Sequence, residues 1–183
     1  ASGIQKLRGL FSEAQSLSEN PSRWQLGRTH HSDSPKADIE ALIPVIKGEI
    51  PLVISASRAA DIEALLRLIA PYSIQLIIHG GAEAWVHADA LANANVGVII
   101  DPMSNGAGGF SDRLGRADNA ALLDKAGVAI VLTTSETHNA RNLRFAAGNS
   151  VRAGLPHAAA LRAITSNPAT LYGQSDMGDL KVN

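Results

Sequence analysis

The side chains best equipped for chemistry in this chain stand directly behind short apolar runs. After the run 128–132 come hydroxyls, the carboxylate of Glu136 and the imidazole of His138 (TTSETH, 133–138), followed by Asn139 and Arg141. Ser55, Ser57 and Arg58 surround the end of the run 51–56, His79 follows the run 74–78, and Asp101 follows 96–100. A carboxylate or imidazole in such a place can move a proton to or from a bound molecule, which makes Glu136 and His138 the catalytic candidates. Arg58 can grip a substrate carboxylate with both prongs of its guanidinium. Ser55, Ser57, Arg58, His79, Asp101, Thr134 and Asn139 are therefore expected to face a substrate. Each also has a plain structural reading. His79 can cap the backbone at a strand end, Arg58 can be solvated or paired, and Asp101 can simply open the Asp-Pro turn. His138, Asn139 and Arg141 can form a structural polar network. Ser55, His79 and Asp101 can be written as a triad, but no nucleophile-elbow pattern supports one.

The elements that must position these groups follow from hydrophobic periodicity. The runs 51–56, 74–78, 96–100 and 128–133 are apolar or β-branched nearly throughout, the pattern of strands covered on both faces in a parallel sheet. Between them lie helical stretches: Ile62, Leu65, Leu66 and Ile69 mark one face, Trp85 and Leu91 another over 82–92, and Ala120, Leu122 and Leu123 a third. Four consecutive βα units imply parallel strands with right-handed crossovers, whose carboxyl ends converge on one side. Ahead of them, Ile4, Leu7, Leu10, Phe11, Ala14 and Leu17 predict a helix over 2–19, ended near Asn20 and Pro21. Ser34 then reads as an N-cap with Pro35 in the first helical position, and Pro44 should kink the helix that Gly48 stops. The stretch 101–116 is a long Gly-rich loop over the mouth of the sheet. Its core Asn105–Gly109 lacks the GxxxxGK[ST] spacing of a phosphate cradle. A helix should begin at Asn139 and stop at Gly154, and two shorter ones should follow over 156–165 and 168–172, the second capped by Asn167. The tail MGDLKVN holds one strand-like stretch.

Composition narrows the classes. With 183 residues, 45% hydrophobic, 18% charged and a formal net charge of -1, nothing electrostatic points to nucleic acid or a membrane surface. Trp24, Tyr72, Trp85 and Tyr172 are scattered without basic interleaving, which suits packing anchors. His30 and His31 sit together in a polar loop. The absence of cysteine excludes disulfides, thiolate metal sites and a Cys nucleophile. No apolar run approaches the roughly 20 residues of a membrane span, and the opening ASGIQKLRG lacks a signal-peptide apolar region. A soluble cytoplasmic or periplasmic chain is expected.

Four parallel βα units form either a small open sandwich or half of a (β/α)8 barrel, whose usual length is about 250 residues. A helix before the first strand and a strand-like fragment at the end favour a partial barrel: leading helices over 1–48, βα units over 49–154, and closing helices over 155–183. Half a barrel leaves two strand edges and an apolar inner face to be covered. The expected partner is the missing N-terminal half or a second copy of the chain.

Several stretches together carry a family resemblance: PLVISASRAADI, IIHGGAEAW, RADNAALLDKAGVAIV, HNARNLRFAAG, GLPHAAALRAITSNPATLYG and MGDLKVN. From about residue 36 to 182 the chain resembles the C-terminal half of an amidohydrolase-superfamily barrel in the imidazolonepropionase-like branch. The resemblance implies that the four strands correspond to the fifth to eighth of the barrel, and that MGDL leads toward a small β-sandwich. It implies a hydrolase of C–N bonds in cyclic or linear amides, using zinc or another divalent metal, with a small-molecule amide as substrate. Such enzymes take metal ligands from His on the fifth and sixth strands and Asp on the eighth, together with residues of the first four. Here Ser55 stands for the fifth-strand His. Gly80 stands for the sixth-strand His, with His79 one place early and so expected on the other face. Thr134 or Ser135 stands for the eighth-strand Asp, with Glu136 the nearest carboxylate. A hydroxyl is a poor ligand or base in that position, so no metal ligand and no cofactor is expected in this chain itself. The alternative is a degenerate homologue serving as a binding or structural module.

Overall fold

The computed structural model of the chain describes residues 2–22, 34–104 and 113–180. Trp24, His30, His31 and the run Asn105–Gly109 lie outside the described residues. Contacts divide the chain into two compact units, Ala1–Leu52 with Arg67–Gln75, and Val53–Leu66 with Leu76–Asn183.

In the first unit, helix α1 (Ser2–Glu19) packs on α2 (Lys36–Ile46). Of the predicted apolar stripe Phe11, Ala14 and Leu17 are buried against α2, where Ile39 is buried too, while Ile4, Leu7 and Leu10 are half-buried. The edge of Phe11 meets the Tyr72 ring with centroids 5.6 Å apart at 73°, the quadrupole-favoured arrangement. Pro44 lies inside α2. Gly48 turns the chain with φ +73°, and a Cβ there would run into the Ser73 carbonyl, so glycine is required on both counts. Its carbonyl accepts from Gln75 Nε2 at 2.6 Å. Ser34 and Pro35 are each shifted by one place. Pro35, whose ring has no acceptor for the open helix N–H groups, occupies the cap, and Lys36 opens the helix.

The strands, all but Leu52 in the second unit, are β1 (Leu52–Ala56), β2 (Leu76–Gly80), β3 (Gly97–Ile100) and β4 (Ile130–Leu132), one parallel sheet in the order β1-β2-β3-β4. Between the strands lie α3 (Ala59–Ile69), a 3₁₀ turn (Ala84–His87) running into α4 (Ala88–Asn93), and α5 (Asn119–Lys125). After β4 come a 3₁₀ segment (Thr137–Asn142), α6 (Leu143–Arg152), α7 (His157–Ile164) and α8 (Ser166–Leu171). This is the sequential, parallel plan of a partial (β/α)8 barrel.

Register fixes which side chains share a face. His79 pairs with Ile99 and Ile99 with Val131, while Ile78 pairs with Val98 and Val98 with Ile130. The Gly81 N–H donates to the Ala56 carbonyl at 2.8 Å, which in a parallel ladder sets Ser55 beside His79. One face thus carries Val53, Ser55, Ile77, His79, Gly97, Ile99 and Val131. The other carries Ile78, Val98, Ile100, Ile130 and Leu132, all buried, and β4 packs against α5, α6, α7 and α8. On the first face Leu171 of α8 packs on Ile77, Ile99 and Val131, and toward β1 the cover thins until Val53 is 42% exposed.

Several predicted boundaries move. The second strand starts two residues later, at Leu76, and runs through His79 and Gly80. The fourth shrinks to Ile130–Leu132, because the Gly127 turn (φ +88°) ends only just before it. The helix foreseen over 82–92 begins as a 3₁₀ turn, and the one foreseen from Asn139 starts as 3₁₀ at Thr137. Asn167 does not cap the last helix. It lies inside α8, whose cap position is Thr165, and its side-chain amide donates instead to the Ile130 carbonyl at 2.8 Å. Met177 and Gly178 form a bend, with no strand among the described residues of the tail.

Candidate functional site

All four strands run the same way, so Ser55, His79, Asp101 and the 133–138 cluster stand at one edge of the sheet. Ser55 is exposed and His79 half-buried, side by side on the thinly covered face. The expected offset of His79 is therefore corrected: parity puts His79 on the side of Ser55 and turns the Gly80 position away. Gly80 itself takes φ +101°, and a Cβ there would lie 3.0 Å from Ser57 Oγ. Ser57 passes just beyond β1, with its carbonyl accepting from Glu83 N–H at 2.9 Å. Arg58 follows at the start of α3, its carbonyl accepting from Asp61 and Ile62 N–H.

Two buried side chains that the sequence reading passed over hold this end of the sheet. Glu83, 7% exposed, accepts from Ala59 N–H through Oε2 at 2.9 Å and from Leu114 N–H through Oε1 at 3.1 Å. One carboxylate thus fixes both the first turn of α3 and the return of the long β3–α5 connection, satisfying N–H groups that a helix start leaves open. Asn119, fully buried, donates to the Gly81 carbonyl at 2.9 Å and accepts from Trp85 N–H at 3.2 Å. The available signal was a single carboxylate inside the small-residue stretch GGAEAW, directly behind a strand.

At the carboxyl ends of β3 and β4 the chain opens a cleft of about 480 Å³. Its walls include Asp101, Met103, Ser104, Thr134, Ser135, Glu136, Asn139 and Phe145. Asp101 makes the turn that its Asp-Pro sequence suggests: Oδ1 accepts from Met103 N–H at 2.9 Å, and Oδ2 from Ser104 Oγ at 3.1 Å. Across the cleft the chain leaves β4 through a tight turn. Ser135 N–H donates to Thr133 Oγ1 at 3.1 Å, Glu136 N–H to the Thr134 carbonyl at 2.6 Å, and Ser135 takes φ +58°. A left-handed Ser, unlike Gly, carries a steric cost. It turns the 3₁₀ segment over the cleft, with Glu136 at its cap position.

The structure thus brings together Asp101, Thr134, Glu136 and Asn139 as walls of one cleft. Ser55, Ser57, His79 and His138 are not among its walls, and Arg58 borders a separate depression with Glu83, Arg113 and Leu114. A zinc-like catalytic centre needs about three nitrogen or oxygen ligands plus an open position. Among the described residues, no three His, Asp or Glu side chains gather closely enough to share an ion. His79 has Ser55 beside it, Asp101 is bound into its own turn, and Thr134 and Ser135 end β4, so the donors present do not fit such a centre. What they offer is a cleft lined by amides, hydroxyls and the carboxylates of Asp101 and Glu136, with Met103 and Phe145 as its apolar part. Among the described residues, no helix is long and apolar enough to cross a membrane.

No family model matches the chain, and a search of curated proteins found no match. Among solved structures the chain is similar to the crystal structure of an amidohydrolase from Thermotoga maritima MSB8, with a TM-score of 0.81 and 22% sequence identity. The likeness covers 97% of this chain and 47% of that one, so the chain spans about half the length of a structure whose fold it shares.

Proposed function

We propose that the chain supplies the C-terminal, fifth-to-eighth-strand half of an amidohydrolase-type barrel of the imidazolonepropionase-like branch, and that it serves hydrolysis of C–N bonds in cyclic or linear amides. The observation that supports this reading is the fold itself, alike over 97% of the chain. Catalytic donors and the cover for the Val53–Ser55 face would come from a first half of the barrel or a second copy. The cleft between β3 and β4 suits an amide, because Asn139 and Asn142 offer both a donor and an acceptor and Phe145 an apolar wall.

A second reading, a degenerate barrel that binds without hydrolysing, is favoured by one specific arrangement. Asp101 spends both carboxylate oxygens on its turn, and hydroxyl residues end β4 where a proton-accepting carboxylate would be needed. Assay of the chain, and of the complex in which it occurs, against five-membered cyclic amides and N-acyl amino acids separates the two. Metal-dependent ring opening or deacylation supports the hydrolase. Saturable calorimetric binding without turnover supports the binding module. Neither binding nor turnover with any of these amides sinks both.

A further inference from the structure

We propose that the cleft between β3 and β4 selects small organic cations, an ammonium group on a compact apolar body, with Glu136 as the anionic anchor. The inference rests on the reading of this cleft as the ligand site, not on hydrolysis. Three observations carry it.

The first is the volume of about 480 Å³, which holds a molecule of one ring with short substituents. The second is charge. Asp101 and Glu136 line the cleft, and no Lys, Arg or His does so among the described residues. The two carboxylates are not equivalent. That of Asp101 already accepts from Met103 N–H and Ser104 Oγ. That of Glu136, exposed at the cap of the 3₁₀ segment, has no side-chain partner among the described residues. A carboxylate without a partner gains most from an N–H donor of opposite charge.

The third is the apolar wall. Met103 and Phe145 are 64% and 56% exposed, unusual for residues with so much apolar area to hide. Arg144 stands over the Phe145 ring, 4.8 Å from its centroid, without lining the cleft. That ring already meets one cation, so it offers van der Waals contact to a ligand's hydrocarbon rather than a seat for its charge. The ammonium belongs at Glu136 and the hydrocarbon against Phe145 and Met103, with the amides of Asn139 and Asn142 free to hold a neutral polar substituent.

The test is calorimetric or NMR titration of the full chain with three probes of one size: benzylamine, benzamide and benzoate. Benzylamine is expected to bind at least about tenfold more tightly than benzoate, and Glu136→Gln to remove about a tenfold preference while leaving benzamide unchanged. Because the Glu136 side chain is exposed, Gln should not disturb folding, and thermal melting checks this. Glu136→Lys should invert the order, favouring benzoate. Benzylamine binding that is indifferent to both substitutions overturns the cation proposal. Equal binding of benzamide and benzylamine also overturns it, while leaving the amide reading standing. If no probe binds, the cleft is not the ligand site and both readings fall.

Discussion

The side-chain amide of Asn119 donates to the main-chain carbonyl of Gly81 at 2.9 Å, from 38 residues away and with no exposed surface of its own. Gly81 is the residue directly after β2, held at φ +57°, where a Cβ would lie 2.6 Å from Val98 Cγ1. The turn that lifts the chain off the sheet thus calls for glycine, and its carbonyl accepts from Asn119 as well as from the Ala84 N–H at 2.9 Å.

Replacing Asn119 with Ala therefore takes from the Trp85 N–H its partner and leaves the Gly81 carbonyl with the Ala84 N–H alone. An unsatisfied buried group costs about 1–3 kcal/mol, so Asn119→Ala is expected to lower unfolding stability by about that much. Urea denaturation checks it. A change below about 0.5 kcal/mol, within the range of ordinary surface substitutions, would show that water reaches these groups and that the latch is ornamental.

A second contact ties the closing helix to the sheet. Gly97 opens β3 without a side chain, and a Cβ there would stand 2.6 Å from both methyl carbons of Leu171. Leu171 packs on Ile77, Ile99 and Val131, so the missing side chain of one residue is the space of the other. Gly97→Ala should cost about 1–3 kcal/mol through overpacking, and Leu171→Ala about 2–5 kcal/mol through the cavity it leaves. The double variant should be less destabilised than the sum, since the new methyl group enters the emptied space. Strict additivity in a double-mutant cycle would break the assigned contact.

The sheet was legible in the sequence because its signal is local and repeated. Four apolar runs bounded by Gly, Pro and polar residues leave little choice but sequential parallel strands. Boundaries were less legible where one residue type had two uses. Asn167 before Pro168 looks like a cap, yet its amide is worth more against the Ile130 carbonyl, a partner that local spacing cannot reveal. The same holds at the site. Asp101 could be read as a turn residue from Asp-Pro alone, and it is one. Glu83 and Asn119 could not be read, because their partners lie 24 to 38 residues away. His79 was misplaced because its face depends on the offset between β1 and β2, which periodicity within β2 alone does not set.

Acid should act on the surface loop before α5. Arg116 grips Asp118 with two hydrogen bonds of 2.7 Å and lies over the Trp85 ring, 4.8 Å from its centroid. These hydrogen bonds hold the Asp118 carboxyl below its ordinary value of 3.8; burial opposes them, and the charge of Arg116 adds a lesser lowering effect. A depressed folded-state value stabilises above the unfolded one and is lost as pH falls through the folded one. The pair's contribution should thus be complete at neutral pH and vanish well below pH 4. Because both groups are largely exposed the effect is small and salt-screened. Asp118→Asn should flatten the acid limb of the melting curve without moving its neutral plateau by more than a degree or so. A steeper acid limb in the variant would reverse the assigned sign.

The last expectation concerns metal, where the row of the sheet containing Ser55 and His79 makes a test in both directions. Neighbouring strands lie about 4.8 Å apart, so two imidazoles in one row of adjacent strands can share an ion, whereas one imidazole beside a hydroxyl cannot hold it with useful affinity. In the chain as it stands, added zinc should leave the melting temperature unchanged, because a ligand stabilises only by binding the native state more tightly than the unfolded one. Ser55→His should create the pair with His79 and gain a zinc-dependent rise, and adding His79→Ala should abolish it. A rise of about 2 °C or more in the unaltered chain, lost on His79→Ala, would show that His79 finds ligands the strand ends do not display. Failure of Ser55→His to respond would instead break the assigned row, and with it the placement of His79 on the thinly covered face of the sheet.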